Sequence, residues 1–137
     1  MPNTLPISSL IRTNTTIRDL FVYLYELNPL EADLLFILIK TKKKGLTLDE
    51  LSKLSNRKKS TVFRSMQHLS YLKLCNREME TRTEGGYYYL YSAIDIESLK
   101  KETENRVKQL EASIHSLLKS FESHVQRTIS TFYQESK

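Results

Sequence analysis

Apolar side chains recur at helical spacing from residue 14. Ile17, Leu20, Phe21 and Leu24 share one face, which predicts a first helix beginning at Asn14. Asn28-Pro29 resets the chain, since Asn suits an N-cap and Pro the first helical position. The next helix, to about Lys40, is apolar nearly all round through Leu34, Leu35, Phe36, Ile37, Leu38 and Ile39, the pattern of a helix buried at the centre of a core. Lys42-Lys43-Lys44-Gly45 closes it, with cations at the helix C-terminus and a glycine suited to a left-handed exit. Thr47-Leu48-Asp49-Glu50 has the form of a capping box opening a third helix, whose Leu48, Leu51 and Leu54 are expected to face inward. Asn56 tolerates the left-handed conformation and marks a sharp turn. A fourth helix, about residues 58–72, turns Val62, Met66 and Leu69 inward. Ser60, Arg64, Gln67 and Tyr71 then project from the opposite face, with Thr61 and His68 on its flank.

After Leu74 the period changes from helical to two. Cys75, Arg77, Met79 and Thr81 alternate with Asn76, Glu78 and Glu80, Glu84-Gly85-Gly86 marks a hairpin turn, and Tyr87 to Tyr91 predicts a return strand. From Asp95 to about Phe132 no Gly or Pro interrupts one long helix. Its apolar stripe runs through Leu99, Val107, Leu110, Ile114, Leu117, Phe121, Val125, Ile129 and Phe132. From Val107 to Phe121 the steps alternate between three and four, which is heptad spacing, and beyond Phe121 they run four, four and three, an eleven-residue step that relaxes a left-handed supercoil as a stutter does. At 1.5 Å per residue such a helix spans about 60 Å and outreaches a small domain. Its stripe needs a partner, expected to be the same helix in a second subunit. Burial against residues 14–27 is the alternative.

Charge sharpens the picture. Residues 41–64 hold eight Lys/Arg against Asp49 and Glu50, a local net charge of +6 in a chain whose total is +5. The excess therefore sits on the two short helices and the approach to them. A cationic helix-turn-helix followed by a hairpin suits a helix inserted into the DNA major groove. The single cysteine excludes an internal disulfide framework, and a buried, inert thiol is the expectation for Cys75 over a redox sensor. The first ten residues lack the basic start and apolar run of a signal peptide, and the longest apolar run, Leu34 to Ile39, is far short of a membrane span. A soluble, cytoplasmic, nucleoid-associated protein with no membrane contact is expected.

Leu46-Thr47, Glu50-Leu51, Ser60-Thr61-Val62 with Arg64, Leu69, Leu74, Gly85-Gly86 and Tyr88 together resemble the winged helix-turn-helix regulators of the MarR and TrmB-like kind. The resemblance is specific over Leu46 to Tyr91, and the layout is similar to small archaeal members with a long C-terminal dimerising helix. It implies a homodimeric DNA-binding regulator of transcription. It implies base reading by Ser60, Thr61 and Arg64, to which the outward face of the helix adds Gln67. Lys42, Lys43, Lys44, Arg57, Lys58, Lys59 and His68 are the candidate backbone contacts, and Arg77, Arg82, Gly85 and Gly86 the candidate wing residues. Two of these assignments stay open. The three lysines also read as a solvated helix end, and Arg82 also reads as paired with Glu80 or Glu84. The chain departs from the family pattern at Asn56 and at Lys73, both common glycine positions, at Arg57, where an apolar residue is usual, and at Lys58, where a Ser or Thr cap is usual.

The expected architecture is mainly α with a small β-hairpin (α+β). Residues 1–13 form a loose N-terminus, 14–93 a winged helix-turn-helix domain and 94–137 a C-terminal dimerisation helix. His68, His115 and His124 have no metal-ligand spacing, and no nucleophile elbow, phosphate loop or paired carboxylates are present, so neither a metal, a cofactor nor an enzyme is expected. Tyr23 and Tyr25 could line an effector space, but amphipathic packing with a wet hydroxyl is much the commoner role of such residues, and no small-molecule effector is named. Two rival readings remain, an architectural DNA protein of low specificity and a winged helix used for protein docking.

Overall fold

The computed structural model describes residues 16–135. The expectations for residues 1–13, and for a helix start at Asn14, lie outside the described residues. The chain divides into two compact units, residues 1–100 and 101–137. The first contains α1 (Ile17–Tyr25), α2 (Pro29–Lys40), α3 (Leu48–Ser55), α4 (Lys59–Tyr71), β1 (Cys75–Thr81) and β2 (Tyr87–Ala93), and α5 (Ile96–Glu135) begins within it. The fold is mainly α with a two-stranded antiparallel hairpin and a long C-terminal helix.

Three successive helices open on reciprocal capping boxes. Thr16 and Asp19 cap α1, Asn28 and Glu31 cap α2 with Pro29 at its first position, and Thr47 and Glu50 cap α3. Each box satisfies two backbone N–H groups that a helix N-terminus otherwise leaves unpaired. In α3 the Thr47 N–H donates to the Glu50 carboxylate at 3.0 Å and the Glu50 N–H to the Thr47 hydroxyl at 3.2 Å. The Glu50 carboxyl lies below its ordinary pKa, first because of the Thr47 backbone bond and then because of Lys43. Asn56 ends α3 in the left-handed region (φ 56°), as its position suggested.

Val22, Leu27, Leu34, Leu35, Leu51, Val62, Met66, Leu69 and Leu74 form the fully buried centre of the first unit. Burying each such side chain is worth about 1.5–3 kcal/mol. Tyr25 also belongs to this core, its ring stacked on Phe21 at 5.5 Å, so it lines no effector space. Two inward stripes differ from expectation. Ile17 is 67% exposed and Leu54 61% exposed. In α3 the leucines advance by three residues each, so the stripe drifts about 60° per step and Leu54 ends about 120° from Leu48.

Gly45 does not supply a left-handed helix exit. Helix α2 ends at Thr41 in extended backbone, and Gly45 instead lets the chain touch β2. A Cβ there would lie 2.8 Å from the Tyr91 carbonyl oxygen. Leu46 then bridges to Tyr91 with backbone bonds of 2.9 and 2.8 Å, which fastens the start of α3 to the hairpin.

The end of α4 carries a strained residue. Lys73 has φ 63°, in the left-handed region that favours glycine. Leu74 N–H closes the turn onto the Leu69 carbonyl at 3.0 Å. A left-handed non-glycine residue costs about 1–2 kcal/mol, partly offset because glycine would cost more backbone entropy on folding. Lys73→Gly is therefore expected to stabilise the protein by up to about 1 kcal/mol, read as a rise in the urea midpoint at unchanged slope. A fall in the midpoint would show that the lysine side chain makes a compensating contact.

The hairpin pairs Cys75 with Ala93 through to Thr81 with Tyr87. Gly85 and Gly86 hold φ 100° and 82°, the left-handed values that the tip needs. Asp95 caps α5 by accepting from the Ser98 N–H and hydroxyl. Leu99, expected on the dimer stripe, is only 5% exposed and lies in the core of the first unit. In the second unit Val107, Leu110 and Val125 are half-buried, and Ile114, Leu117, Phe121, Ile129 and Phe132 are exposed.

Candidate nucleic-acid interface

Helix α4 presents an exposed row. Ser60, Arg64, Gln67 and Tyr71 are exposed, the last by 83%, and Thr61 is half-buried beside them. Val62, Ser65, Met66 and Leu69 anchor the opposite face in the core, so the row has a fixed azimuth. The turn before α4 is held from both sides by Ser52. Its hydroxyl donates to the Arg57 carbonyl at 2.5 Å, and its own carbonyl accepts the Arg57 N–H at 3.1 Å. Arg57 and Lys58 are thereby set at the mouth of α4, both exposed. Lys58 occupies the N-cap without a side-chain cap bond, as a lysine there must.

The seven candidate backbone residues fall into two groups. Among the described residues Lys42, Arg57 and Lys58 enter no ion pair, and neither does Arg64 of the base-reading row. The others have internal partners. Lys43 pairs with Glu50 at 3.0 Å, Lys59 pairs with Asp49, and Lys44 pairs with Glu80 at 2.8 Å and Glu78 at 3.4 Å. The Glu80 hydrogen bond raises the Lys44 pKa, and the Lys59 hydrogen bond lowers that of Asp49. All these pairs are solvent-exposed. Such pairs contribute at most about 1 kcal/mol, so a polyanion can exchange for the carboxylates.

His68 is turned toward the core side. Its Nδ1 lies 2.6 Å from Oε2 of Glu31, a buried carboxylate whose Oε1 also accepts the Asn28 N–H at 2.9 Å. One carboxylate thus ties α4 to the N-terminus of α2. Sequence reading missed this, because a pair separated by 37 residues leaves no local signal.

The wing also differs in detail. Arg77 lies over the Tyr89 ring at 4.3 Å and Arg82 over Tyr88 at 5.0 Å, so neither Glu80 nor Glu84 pairs with Arg82. The tyrosine run was legible as a β-strand, but its role as a platform for both arginines depends on the hairpin register. Phe63, which the sequence reading passed over, is 37% exposed and lines a groove of about 580 Å³ with Lys59, Arg82 and Tyr88.

Cys75 is buried, and burial pushes its thiol up to about 12, which leaves it protonated and inert as expected. Among the described residues no cluster of His, Cys, Asp or Glu could hold a metal ion, and no helix is long and apolar enough to cross a membrane.

This arrangement has known counterparts. Uncharacterized protein MJ1503 of Methanocaldococcus jannaschii is 39% identical over 54 residues, which are 39% of this chain and 41% of that protein. The chain thus spans about two fifths of that relative's length. Among solved structures, a possible transcriptional regulator from Methanosarcina mazei Go1 superposes with a TM-score of 0.70 at 19% identity, covering 80% of this chain and 93% of its own. The ST1889 protein of Sulfolobus tokodaii gives 0.58 at 25% identity, covering 71% and 93%. MepR of S. aureus, in a DNA complex, gives 0.50 at 18% identity, covering 75% and 87%, a likeness of fold. Residues 24–97, more than half of the chain, match the family described as "Sugar-specific transcriptional regulator TrmB". The chain is a winged helix-turn-helix protein of the TrmB family of transcriptional regulators.

Proposed function

We propose that the protein is a homodimeric, DNA-binding transcriptional regulator that lays α4 in the major groove and the β1–β2 wing at the neighbouring minor groove. The observation that carries this reading is the exposed Ser60–Arg64–Gln67 row, fixed on a core-anchored helix whose first half closes the segment of net charge +6. Ser60, Thr61, Arg64 and Gln67 offer hydrogen-bonding groups suited to base edges. Arg57, Lys58, Lys59 and Lys42–Lys44 take phosphates, with Arg77 and Arg82 on the wing, while His68 serves mainly to hold α4 against Glu31. A protein-docking winged helix needs no cationic reading helix, which favours DNA. Arg64→Ala is expected to cost about 1–3 kcal/mol and to flatten preference at one base position, whereas Lys59→Ala weakens all duplexes alike. Equal losses on cognate and random duplex for both variants would contradict this division of labour.

The dimer reading rests on the exposed apolar stripe Ile114, Leu117, Phe121, Ile129 and Phe132 and on the heptad spacing from Val107 to Phe121. Paired α5 helices would set two α4 helices about 34–36 Å apart on a roughly palindromic operator. In sedimentation velocity the protein is expected at the mass of two chains, and Leu117→Glu with Phe121→Glu at the mass of one. A monomeric wild type at micromolar concentration would remove the two-site geometry.

A further inference from the structure

One large apolar side chain of α4 lies outside both the core and the hydrogen-bonding row. Phe63 follows Val62, which is fully buried, yet its own ring is 37% exposed. Among the described residues that ring meets no other aromatic ring and no arginine lies over it. Helical geometry fixes its place. Phe63 comes three residues after Ser60 and four before Gln67, so it lies beside both on the helix surface. On its other side is the wing, since Phe63 shares a groove with Arg82 and Tyr88. The ring therefore stands where the reading row meets the hairpin. Lys59 and Arg82 line the same groove against the one carboxylate of Asp49, a balance that suits a polyanion. A single exposed apolar residue on an open surface needs no explanation. This one is set in a cationic groove bordering the proposed base-reading residues.

We infer that Phe63 reads the 5-methyl group of a thymine in the major groove, an inference that rests on the reading of α4 as the DNA-recognition helix. Base edges in that groove present hydrogen-bond donors and acceptors, and the thymine methyl is the apolar group among them. Ser60 and Gln67 face the polar edges, Phe63 covers the methyl, and Lys59 and Arg82 hold phosphates of the strand that passes between α4 and the wing. Withdrawing one methyl from water is worth about fourfold in affinity. Phe63 thus adds to the row a preference for T·A pairs that its hydrogen-bonding residues do not supply.

The test starts from a duplex that the wild-type protein enriches from a randomised duplex pool. Each thymine of that duplex is replaced singly by deoxyuridine, which keeps the base pair and loses only the methyl, and affinity is read by fluorescence anisotropy. At one thymine in each half-site the replacement is expected to weaken wild-type binding about fourfold. Phe63→Ala, checked by thermal melting, is expected to bind the thymine duplex at least about fourfold more weakly per half-site and to be indifferent to the replacement. Arg64→Ala is expected to bind more weakly and to keep the fourfold ratio. The replacement series on the wild type needs no variant, so it decides even where Phe63→Ala fails to fold. The inference is overturned if no single replacement weakens wild-type binding. It is equally overturned if Phe63→Ala weakens the thymine and uracil duplexes by one common factor, the mark of a ring packed on deoxyribose or of another residue on the methyl. Both results leave DNA binding standing. A pool from which the protein enriches no duplex would overturn the recognition-helix reading, and this inference with it.

Discussion

Replacing Arg57, Lys58 and Arg64 together with alanine is expected to lower affinity for a cognate duplex about a hundredfold or more near physiological salt. Two effects add. Arg64 is assigned a base contact worth about 1–3 kcal/mol. Each phosphate that no longer meets a cation also takes about 0.9 off the slope of log affinity against log salt, so removing the two phosphate-facing cations, Arg57 and Lys58, lowers that slope by about 1.8. None of the three residues is committed elsewhere. They are exposed and enter no ion pair among the described residues, whereas Lys43, Lys44 and Lys59 have carboxylate partners. The turn that presents Arg57 is held through backbone atoms and Ser52, so its side chain can be removed without loosening the turn. The melting temperature of the triple variant is expected to match the wild type within a few degrees, since Lys58 makes no side-chain cap bond at its N-cap position and exposed positions change stability by less than about 0.5 kcal/mol. An unchanged salt slope would move the interface to another face of the molecule.

The largest expected effect on stability lies in α2. Leu35 is fully buried, in a helix that packs against α1, α3, α4 and β2. Leu35→Ala leaves a cavity that four elements would have to close together, and rigid surroundings relax little. A loss of about 2–5 kcal/mol is expected, which for a domain of this size lowers the melting temperature by about 10–30 °C. The consequence reaches function, because the azimuth of the α4 row depends on Val62, Met66 and Leu69 staying seated against α2. A loss below about 1 kcal/mol by urea denaturation would show that α2 is not the centre of the core.

Features set by neighbours in sequence were legible before the structure. The Asn28 N-cap, the Thr47 capping box, the left-handed Asn56, the inward Val62–Met66–Leu69 stripe, the glycine hairpin tip and the long final helix each depend on residues three or four apart or on one residue's backbone preference. What escaped depends on distant pairings. The use of Gly45 is explained by Tyr91, 46 residues later, because strand contact rather than helix exit demands a missing side chain. His68 is oriented by Glu31, and Lys44 by Glu78 and Glu80, all set by tertiary approach. Leu99 continues the apolar spacing of α5 but lies where that helix still belongs to the first unit, so spacing alone assigned it to the wrong surface. The candidate reading row was legible because helical geometry alone places Ser60, Arg64 and Gln67 on one side. The division of the cations into free and paired sets was not, since it requires the fold.

If the α4 row reads a DNA sequence, base identity rather than charge alone must decide affinity. The most direct test is fluorescence anisotropy of the wild-type protein with the duplex upstream of its own gene and with a scrambled duplex, across a salt series. A preference of about a thousandfold or more is expected, together with a slope of several ions. A steep slope with equal affinity for both duplexes would contradict sequence reading and indicate an architectural binder, and no binding at low salt would contradict DNA recognition altogether.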